Sequence, residues 1–499
     1  MVDCEYIIVQ AGGRGSRLKQ LTNNKPKAMV SVENLPIIFH LFRKYPNSKY
    51  VIICDYLKDV LDRYLDTFCD VQYITVGTDG YKGTCSGISN ALKLIPPDKK
   101  LMLIWSDLVL EKDFDMPDTG DDLIGISGTF RCRWSYKDGS FEEEPSKKDG
   151  VAGLFVFSDK SKLDGVPHEG EFVRWLQSKN SRFKRVELTG SAEYGLEEKI
   201  TSPEAGKCRP FNSMRTENGL IIKEGADEQG KKLAVREIAW YRHVADYDIA
   251  IPRIYSFNPL TMERIEGKNV SAYRFTHDER KDILVLIMDS LKSMHAHDHS
   301  PADPFSMYEA YYKKTVSRLN KIRNLVPFAN EPYLIINNKK CRNVFFHLDK
   351  LRERLKQISC ERFCLIHGDC TFSNVMLRNG KEPVFIDPRG YFGFSELVGD
   401  PAYDWAKLYY SVVGDYDKFN LGKFELKIGE DEISLTIETN GWKDVEGVFI
   451  ENLPEDVSIE DIRLIHAVIW LSLTTYTWND YDSVCGAFYN GLYHLEDVL

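Results

Sequence analysis

Tyr6-Ile7-Ile8-Val9-Gln10-Ala11-Gly12-Gly13-Arg14-Gly15-Ser16-Arg17-Leu18 lies near the start of the sequence, and Lys25-Pro26-Lys27-Ala28-Met29 follows it. The apolar run Tyr6–Gln10 predicts a buried strand leading into a glycine loop. Glycines after a strand let the backbone approach an anion closely, with its N–H groups aimed at the anion's oxygens. Arg17 and Lys27 add charge-assisted contacts of the kind a triphosphate accepts. Tight turns also use glycine for steric reasons. The second basic cluster, Lys25-Pro26-Lys27, favours the anion reading over a bland turn. The loop is neither GxxxxGK[ST] nor GxGxxG, which weighs against an ordinary P-loop NTPase or a dinucleotide-binding dehydrogenase.

Outward from this loop, helices are predicted over 35–43, 58–68 and 86–95, and strands over 49–54, 71–76 and 101–104. The last strand ends in Trp105-Ser106-Asp107. Strand and helix in alternation are the mark of βαβ units on a parallel sheet. Ligands on such sheets bind at the carboxyl ends of strands, where both the glycine loop and Asp107 fall. Residues 120–195 are less regular, with strand-like runs at 123–129 and 151–157. The polar stretch 199–210, with two prolines and one glycine, reads as a linker. It divides the chain into domains of 1–205 and 206–499.

The pattern then restarts. A strand is expected over 219–224, a helix over 231–245, and a strand pair, or a strand and hinge, over 254–265. From about residue 278 the chain is mostly helical, interrupted at 423–437, where alternation on both sides of 429–432 predicts a hairpin.

The sequence has 499 residues, of which 43% are apolar and 28% charged, an ordinary globular balance that excludes a mainly disordered or collagenous chain. The formal charge is −10, which argues against non-specific nucleic-acid binding. Any bound phosphate should sit in a local pocket. The eleven cysteines include no CxxC and are odd in number, so reduced thiols and a cytoplasmic protein are expected. Cys360, Cys364 and Cys370 lack the second ligand pair of a zinc site. No signal peptide and no membrane-spanning run are expected.

The first segment resembles the signature of the sugar-1-phosphate nucleotidylyltransferases, Gly-x-Gly-Thr/Ser-Arg-Leu followed by Pro-Lys. The resemblance extends over about residues 5–200. It implies that Gly12, Gly13, Gly15 and Arg17 bind the triphosphate and that Lys27 contacts the reacting phosphates. Gly83-Thr84 and Gly87-Ile88 resemble the family's base- and sugar-contacting stretch, and Asp107 its Mg²⁺-binding aspartate. Glu144-Pro145-Ser146-Lys147 and the run 151–157 resemble the stretch near the phosphosugar. The family usually closes with an acidic residue before Gly-Thr. Here the run is Glu187-Leu188-Thr189-Gly190-Ser191, one residue out of register, and Glu187 is the candidate second metal ligand. The implied chemistry is in-line attack of a phosphomonoester on the α-phosphate of an NTP, with pyrophosphate released.

A second constellation lies in His367-Gly368-Asp369-Cys370-Thr371-Phe372-Ser373-Asn374, which fits H-x-D-x₄-N, with Asp387 following in Phe385-Ile386-Asp387-Pro388. In kinase chemistry such an Asp takes or orients the hydroxyl proton, while the Asn and the later Asp hold Mg²⁺. Lys223 lies in a predicted strand and Glu237 in the following helix, matching the ion pair that positions the α- and β-phosphates of ATP. Met262-Glu263-Arg264-Ile265-Glu266-Gly267 reads as a hinge whose backbone, at Glu263, would meet adenine. These motifs and Gly399-Asp400-Pro401-Ala402-Tyr403-Asp404-Trp405-Ala406 resemble the aminoglycoside phosphotransferase and choline kinase superfamily, over roughly 211–499. That resemblance implies phosphorylation of a small-molecule hydroxyl, with Asp404 supporting the metal site. Choline kinases typically read ID(W/F)E at the metal aspartate, whereas this chain reads Ile386-Asp387-Pro388-Arg389. Arg389 could meet an acceptor or a phosphate, or form a structural ion pair. His295, His297 and His299 follow a predicted helix and are weak metal candidates.

The expected fold is α/β. A Rossmann-like nucleotidyltransferase domain with a mostly parallel sheet precedes a bilobal protein-kinase-like α+β domain, with an N-lobe of about 206–266 and a largely helical C-lobe of about 267–499. Two sites on one chain imply consecutive steps. ATP would phosphorylate a small sugar or alcohol, and a second NTP, CTP or UTP foremost, would then give an NDP-activated building block for surface glycan or lipid head-group synthesis. Mg²⁺ would serve both sites. The alternatives are a choline- or ethanolamine-type kinase joined to a cytidylyltransferase, and a nucleotide-sensing regulatory protein with one or both sites inactive.

Overall fold

Ile7, Ile8 and Val9 are buried because Tyr6–Gln10 takes a parallel neighbour on each side, Lys49–Ile53 on one and Leu101–Trp105 on the other. The computed structural model describes residues 4–195, 200, 212–225 and 228–499. Contacts divide the chain into two units, Met1–Gly206 with Asn479–Asp482, and Lys207–Trp478 with Ser483–Leu499. The linker expected over 199–210 lies outside the described residues except for Ile200.

The first unit is a Rossmann-like mixed α/β domain. Its parallel strands run in the order Gln72–Val76, Lys49–Ile53, Tyr6–Gln10 and Leu101–Trp105, and Gly150–Phe157 then joins antiparallel to the last of them. Leu123–Ser127 follows, antiparallel to Gly150–Phe157, and Lys184–Glu187 lies parallel beside it at the edge. The strand order reverses between Tyr6–Gln10 and Leu101–Trp105. The crevice beyond their carboxyl ends is the ligand position of such sheets.

The helix Lys58–Phe68 has the expected bounds, and Cys85–Leu92 packs on the sheet through Ile88 and Ala91. A Cβ at Gly87 would come 2.2 Å from Ile53 Cγ2, so glycine lets this helix touch the strand. The helix expected over 35–43 instead begins at Ile37, because Leu35–Pro36 first pairs with Ser31–Val32.

The second unit is protein-kinase-like. Its N-terminal sheet has the order Asn212–Glu217, Leu220–Gly225, Leu260–Glu263, Ile254–Phe257, all antiparallel, and the helix Glu228–His243 accompanies it. The C-terminal part is built on the helices His277–His295, Pro401–Val412, Ile459–Leu473 and Tyr481–Leu495. Thr276 and Glu279 close a capping box on the first of these. The hairpin Phe424–Ile428 with Ile433–Ile437 forms as expected. It extends into a four-stranded sheet through Tyr333–Ile336 and Lys339–Arg342, which the sequence reading did not separate from the helical run. The hairpin Val375–Arg378 with Glu382–Phe385 carries the catalytic-loop exit.

Candidate active sites

In the first unit the Ala11 N–H donates to the Ile53 carbonyl at 2.8 Å, fixing the entry to the glycine loop. Gly15 is left-handed (φ 66°), and a Cβ there would stand 3.2 Å from Lys27 Cβ. Another side chain at Gly15 would therefore be strained and would press on Lys27. A Cβ at Gly13 would meet nothing within 4 Å, and one at Gly12 would stand 3.4 Å from Asp55 Oδ2. Open space faces Gly13, while Gly12 abuts Asp55 and the Ile53 carbonyl. Arg17 is exposed on the turn Ser16–Thr22. Lys27 begins the turn Lys27–Met29, and its Nζ pairs with Asp107 Oδ2. Ser106 N–H donates to the Gln10 carbonyl at 3.1 Å, holding Asp107 beside the loop.

Gly83 and Thr84 tie two segments together. A Cβ at Gly83 (φ 91°) would fall 2.3 Å from the Gly170 carbonyl oxygen. Thr84 Oγ1 accepts from the Phe172 N–H at 2.8 Å, at the start of the helix Phe172–Ser178. Thr84 thereby helps shape the loop over the sheet edge.

Glu187 does not join Asp107. Its carboxylate pairs with Arg185, at 3.1 Å. Lys184–Glu187 is separated from Leu101–Trp105 by two intervening strands, which puts three strand spacings, roughly 14 Å, between them. The chain crosses back after Glu187. Ala192–Glu193 pairs antiparallel with Leu108–Val109, setting Glu193 opposite Leu108, and the Tyr194 N–H donates to the Asp107 carbonyl at 2.9 Å. A Cβ on Gly195 would lie 2.0 Å from Glu193 Oε1 and 3.6 Å from Arg17 Nη2. Glu193, which the sequence reading did not single out, is the acidic residue at this return of the chain. Its signal was its position shortly after Gly190-Ser191, closer to the return of the chain than Glu187.

In the second unit Lys223 bonds to two carboxylates, Glu237 Oε2 at 2.8 Å and Asp387 Oδ1 at 2.8 Å. Burial alone would lower the Lys223 ammonium, but the charges of Asp387 and Glu237 outweigh it and hold the pKa above the ordinary lysine value. Burial pushes the Glu237 carboxyl up to about 7, against the pull of Lys223. The ammonium is therefore charged at neutral pH.

The catalytic loop is held from below. The Asp404 carboxylate is fully buried and accepts from the backbone N–H groups of His367 (2.8 Å) and Gly368 (2.7 Å). His367 Nδ1 lies 3.2 Å from the Asp369 N–H, and its Nε2 lies 3.0 Å from the Ile386 carbonyl. These contacts assign the proton to Nε2, and burial lowers the ring's pKa, keeping it neutral. Asn374 Nδ2 donates to Asp369 Oδ2 at 3.1 Å and to the Asp369 carbonyl at 2.8 Å. The Asn374 carbonyl accepts from Ile386 N–H at 2.9 Å, which brings Asp387 alongside. Lys407 Nζ stands 2.9 Å from Asp369 Oδ1. The sequence reading missed Lys407, although it lies one helical turn after Asp404.

Glu263 has partners within its own unit. Its N–H donates to the Arg253 carbonyl at 2.8 Å, and its carboxylate pairs with Arg378 at 2.9 Å. The N–H is thus taken by a backbone carbonyl and the carboxylate by an ion pair. The histidine trio does not converge: His295 faces Asp404, His297 stacks on Tyr247 and His299 is exposed. Among the described residues no cluster of three or more His, Cys, Asp or Glu could hold a metal.

Mg²⁺ nevertheless suits the groups present, since it takes one or two protein oxygens and completes its shell with water and substrate phosphates. Asn374 spends its amide N–H on Asp369, leaving Oδ1 as its donor to a cation. Asp387 and Asp107 offer carboxylate oxygens. No described helix is long and apolar enough to cross a membrane, and the ten described cysteines are free thiols.

Residues 216–426 match the model of the phosphotransferase enzyme family, and residues 6–117 match that of the nucleotidyl transferases. The chain thus joins a nucleotidyl transferase domain to a kinase-like phosphotransferase domain. Over 254 residues it is 23% identical to the bifunctional protein GlmU of Methanococcus maripaludis, covering 44% of this chain and 60% of that protein. Over 105 residues it is 37% identical to the UTP–glucose-1-phosphate uridylyltransferase AglF of Haloferax volcanii, covering 20% of this chain and 42% of that protein. The chain therefore spans at most about 60% of the length of these curated relatives. Among solved structures, the CTP:phosphocholine cytidylyltransferase of Streptococcus pneumoniae (LicC) is 19% identical, with a TM-score of 0.32, covering 39% of this chain and 94% of its own. A glucose-1-phosphate thymidylyltransferase from Bacillus anthracis, so described provisionally, is 18% identical with a TM-score of 0.33, covering 39% of this chain and 91% of its own.

Proposed function

We propose that this chain catalyses two consecutive transfers. The second unit moves the γ-phosphoryl group of ATP to a hydroxyl of a small sugar or alcohol. The first unit then joins that phosphate ester to the nucleotidyl group of a second NTP, CTP or UTP foremost, releasing pyrophosphate. The product is an NDP-activated building block of the kind used for surface glycans or lipid head groups, made in the cytoplasm. The observation that carries this reading is the bond of Lys223 to Glu237 and Asp387 at once, at 2.8 Å each.

In the kinase step the acceptor oxygen forms a bond to the γ-phosphorus. The bond to the β–γ bridging oxygen breaks, and ADP leaves with its electron pair. The hydroxyl proton passes to the Asp369 carboxylate, whose two oxygens are aimed by Asn374 and Lys407. Lys223 steadies the α- and β-phosphates. Asn374 and Asp387 are the residues that would hold Mg²⁺, which when bound neutralises charge on the polyphosphate.

In the second step a non-bridging, anionic oxygen of the phosphomonoester bonds to the α-phosphorus of the NTP, the bond from that phosphorus to the α–β bridging oxygen breaks, and pyrophosphate departs with its electron pair. The nucleophile is already an anion, so no general base is required. The protein's work is to hold two anions together, which Arg17, Lys27 and the amides around Gly12, Gly13 and Gly15 would do. Asp107 would hold the Mg²⁺ of this site. A kinase with an inactive transferase partner is the second reading, favoured by the distance of Glu187 from Asp107.

The test is incubation with ATP, Mg²⁺, a panel of sugars, amino sugars, hydroxy acids, polyols, choline and ethanolamine, and each of CTP, UTP, GTP and dTTP. ADP and pyrophosphate are read separately. Both should rise with one acceptor and one NTP. ADP alone would support the second reading, and neither product across the panel would overturn both.

A further inference from the structure

The face of the catalytic loop that carries Lys407 is lined by cations that have phenols, not carboxylates, for neighbours. Arg389 donates to Tyr403 Oη at 2.8 Å and to Tyr391 Oη at 2.7 Å. Lys314 Nζ lies 5.7 Å from the centroid of the Tyr403 ring. Lys407 approaches the same ring at 6.0 Å while bonded to Asp369. Tyr403 thus links Asp369, through Lys407, to Arg389 and Lys314. Arg318 sits one turn after Lys314 on the helix Lys314–Ile322, and donates to the Ser472 hydroxyl and carbonyl at 2.7 and 2.8 Å.

Among the described residues, Arg389, Lys314 and Arg318 have no carboxylate at ion-pair distance, and the Lys314 ammonium makes no side-chain hydrogen bond. Like charges one helical turn apart repel. Burial, then the charges of Arg389, Arg318 and Lys407, push Lys314 well below the ordinary lysine value, and Glu309 is the acidic group that opposes them. The helix bearing Lys314 and Arg318 also begins directly after a π-helical turn, Tyr308–Lys313. Such turns are rare and concentrate at functional sites. Folding alone would not gather these charges, since each is partly desolvated without an anion to answer it.

We infer that the acceptor phosphorylated by the second unit carries an oxyanion, a carboxylate or a phosphoryl group, bound by Arg389, Lys314 and Arg318 while its hydroxyl faces Asp369. This rests on the kinase reading above and narrows it. A quaternary ammonium acceptor would be repelled by Arg389, Lys314 and Arg318.

The experiment uses the full chain saturated with Mg²⁺ and the non-hydrolysable ATP analogue AMP-PNP, at constant ionic strength. Inorganic phosphate, malonate and choline are titrated separately, and the thermal unfolding midpoint is followed. Phosphate or malonate should raise the midpoint saturably, and choline should not. Whichever anion binds more tightly distinguishes a phosphoryl from a carboxylate acceptor. In Lys314→Met the anion's half-saturating concentration should rise at least tenfold. That variant keeps the fold, because it removes a buried charge without breaking a bond. In Arg389→Met the anion's half-saturating concentration should rise likewise.

Anion binding unchanged in both variants, no anion binding at all, or tighter binding of choline would overturn the inference. Failure of the kinase reading is distinguishable. In that case AMP-PNP with Mg²⁺ would bind no differently to the native chain and to Lys223→Met.

Discussion

Lys407 Nζ stands 2.9 Å from Asp369 Oδ1, while Asn374 Nδ2 stands 3.1 Å from Oδ2 of the same carboxylate. Each oxygen of Asp369 therefore has its own donor, and the carboxylate cannot rotate away from an acceptor hydroxyl without losing one of them. Asp369→Asn should reduce ADP formation by roughly 10²–10⁴-fold, the usual worth of a positioned acid or base. Pyrophosphate release from a supplied phosphomonoester should not change. Steady-state assay of both products checks this, and near-native ADP formation would remove Asp369 from the mechanism.

The return of the chain to Asp107 at Glu193, rather than at Glu187, makes a pair of substitutions informative. Glu193→Gln should lower pyrophosphate release at least tenfold and raise the Mg²⁺ concentration needed for half-maximal rate. Glu187→Gln should leave both close to native, since that carboxylate is occupied with Arg185. The reverse pattern would restore Glu187 as the metal ligand.

Lys223→Met would leave the Glu237 carboxyl buried without its ammonium. In the native protein that carboxyl already lies at about 7, well above its ordinary value of 4.5. A raised carboxyl pKa means that the folded state binds a proton the unfolded state has released. The variant should thus be least stable above pH 7 and gain stability as the pH falls toward 4.5. Urea midpoints at pH 8 and pH 6 test the sign, and equal midpoints would contradict it. ADP formation should be lost at both.

His466 gives the opposite dependence. It is 1% exposed, it accepts from Trp470 Nε1–H at 3.0 Å, and burial, followed by repulsion from His494, holds its pKa well below 6.5. A depressed histidine binds its proton only on unfolding. Its contribution is present above about pH 6.5 and is lost as the pH falls below that value, at up to about 1.4 kcal/mol per pH unit. His466→Gln should flatten the stability profile of the second unit between pH 6.5 and 5. A profile as steep as that of the native chain would assign the dependence elsewhere.

Much of this was legible because local pattern and tertiary demand agree. Lys58–Phe68 is amphipathic at helical spacing, and Tyr6–Gln10 is apolar up to Val9, in keeping with a strand paired on both edges. The kinase groups were readable because Asp369, Asn374 and Asp387 lie on one loop and the hairpin after it, where sequence distance fixes spatial distance. Glu193 was missed for the converse reason. Its neighbourhood with Asp107 is created by the chain crossing back over two strands, which no local spacing encodes. Glu263 ends the strand Leu260–Glu263, and only register sets its N–H toward Arg253, which the motif does not encode. Lys314 and Arg318 drew no attention as two basic residues on an amphipathic helix. Only the fold sets them near Arg389 and Tyr403.

The most direct test of the two-step account follows pyrophosphate release from the unphosphorylated acceptor. With Mg²⁺, ATP, that acceptor and the matching NTP, the native chain should release ADP first and pyrophosphate after a lag. Asp369→Asn should release neither, and should release pyrophosphate at the native rate once the phosphorylated acceptor is supplied. Pyrophosphate formed from the unphosphorylated acceptor in the absence of ATP, or a failure of the phosphorylated acceptor to rescue Asp369→Asn, would contradict consecutive transfers on this chain.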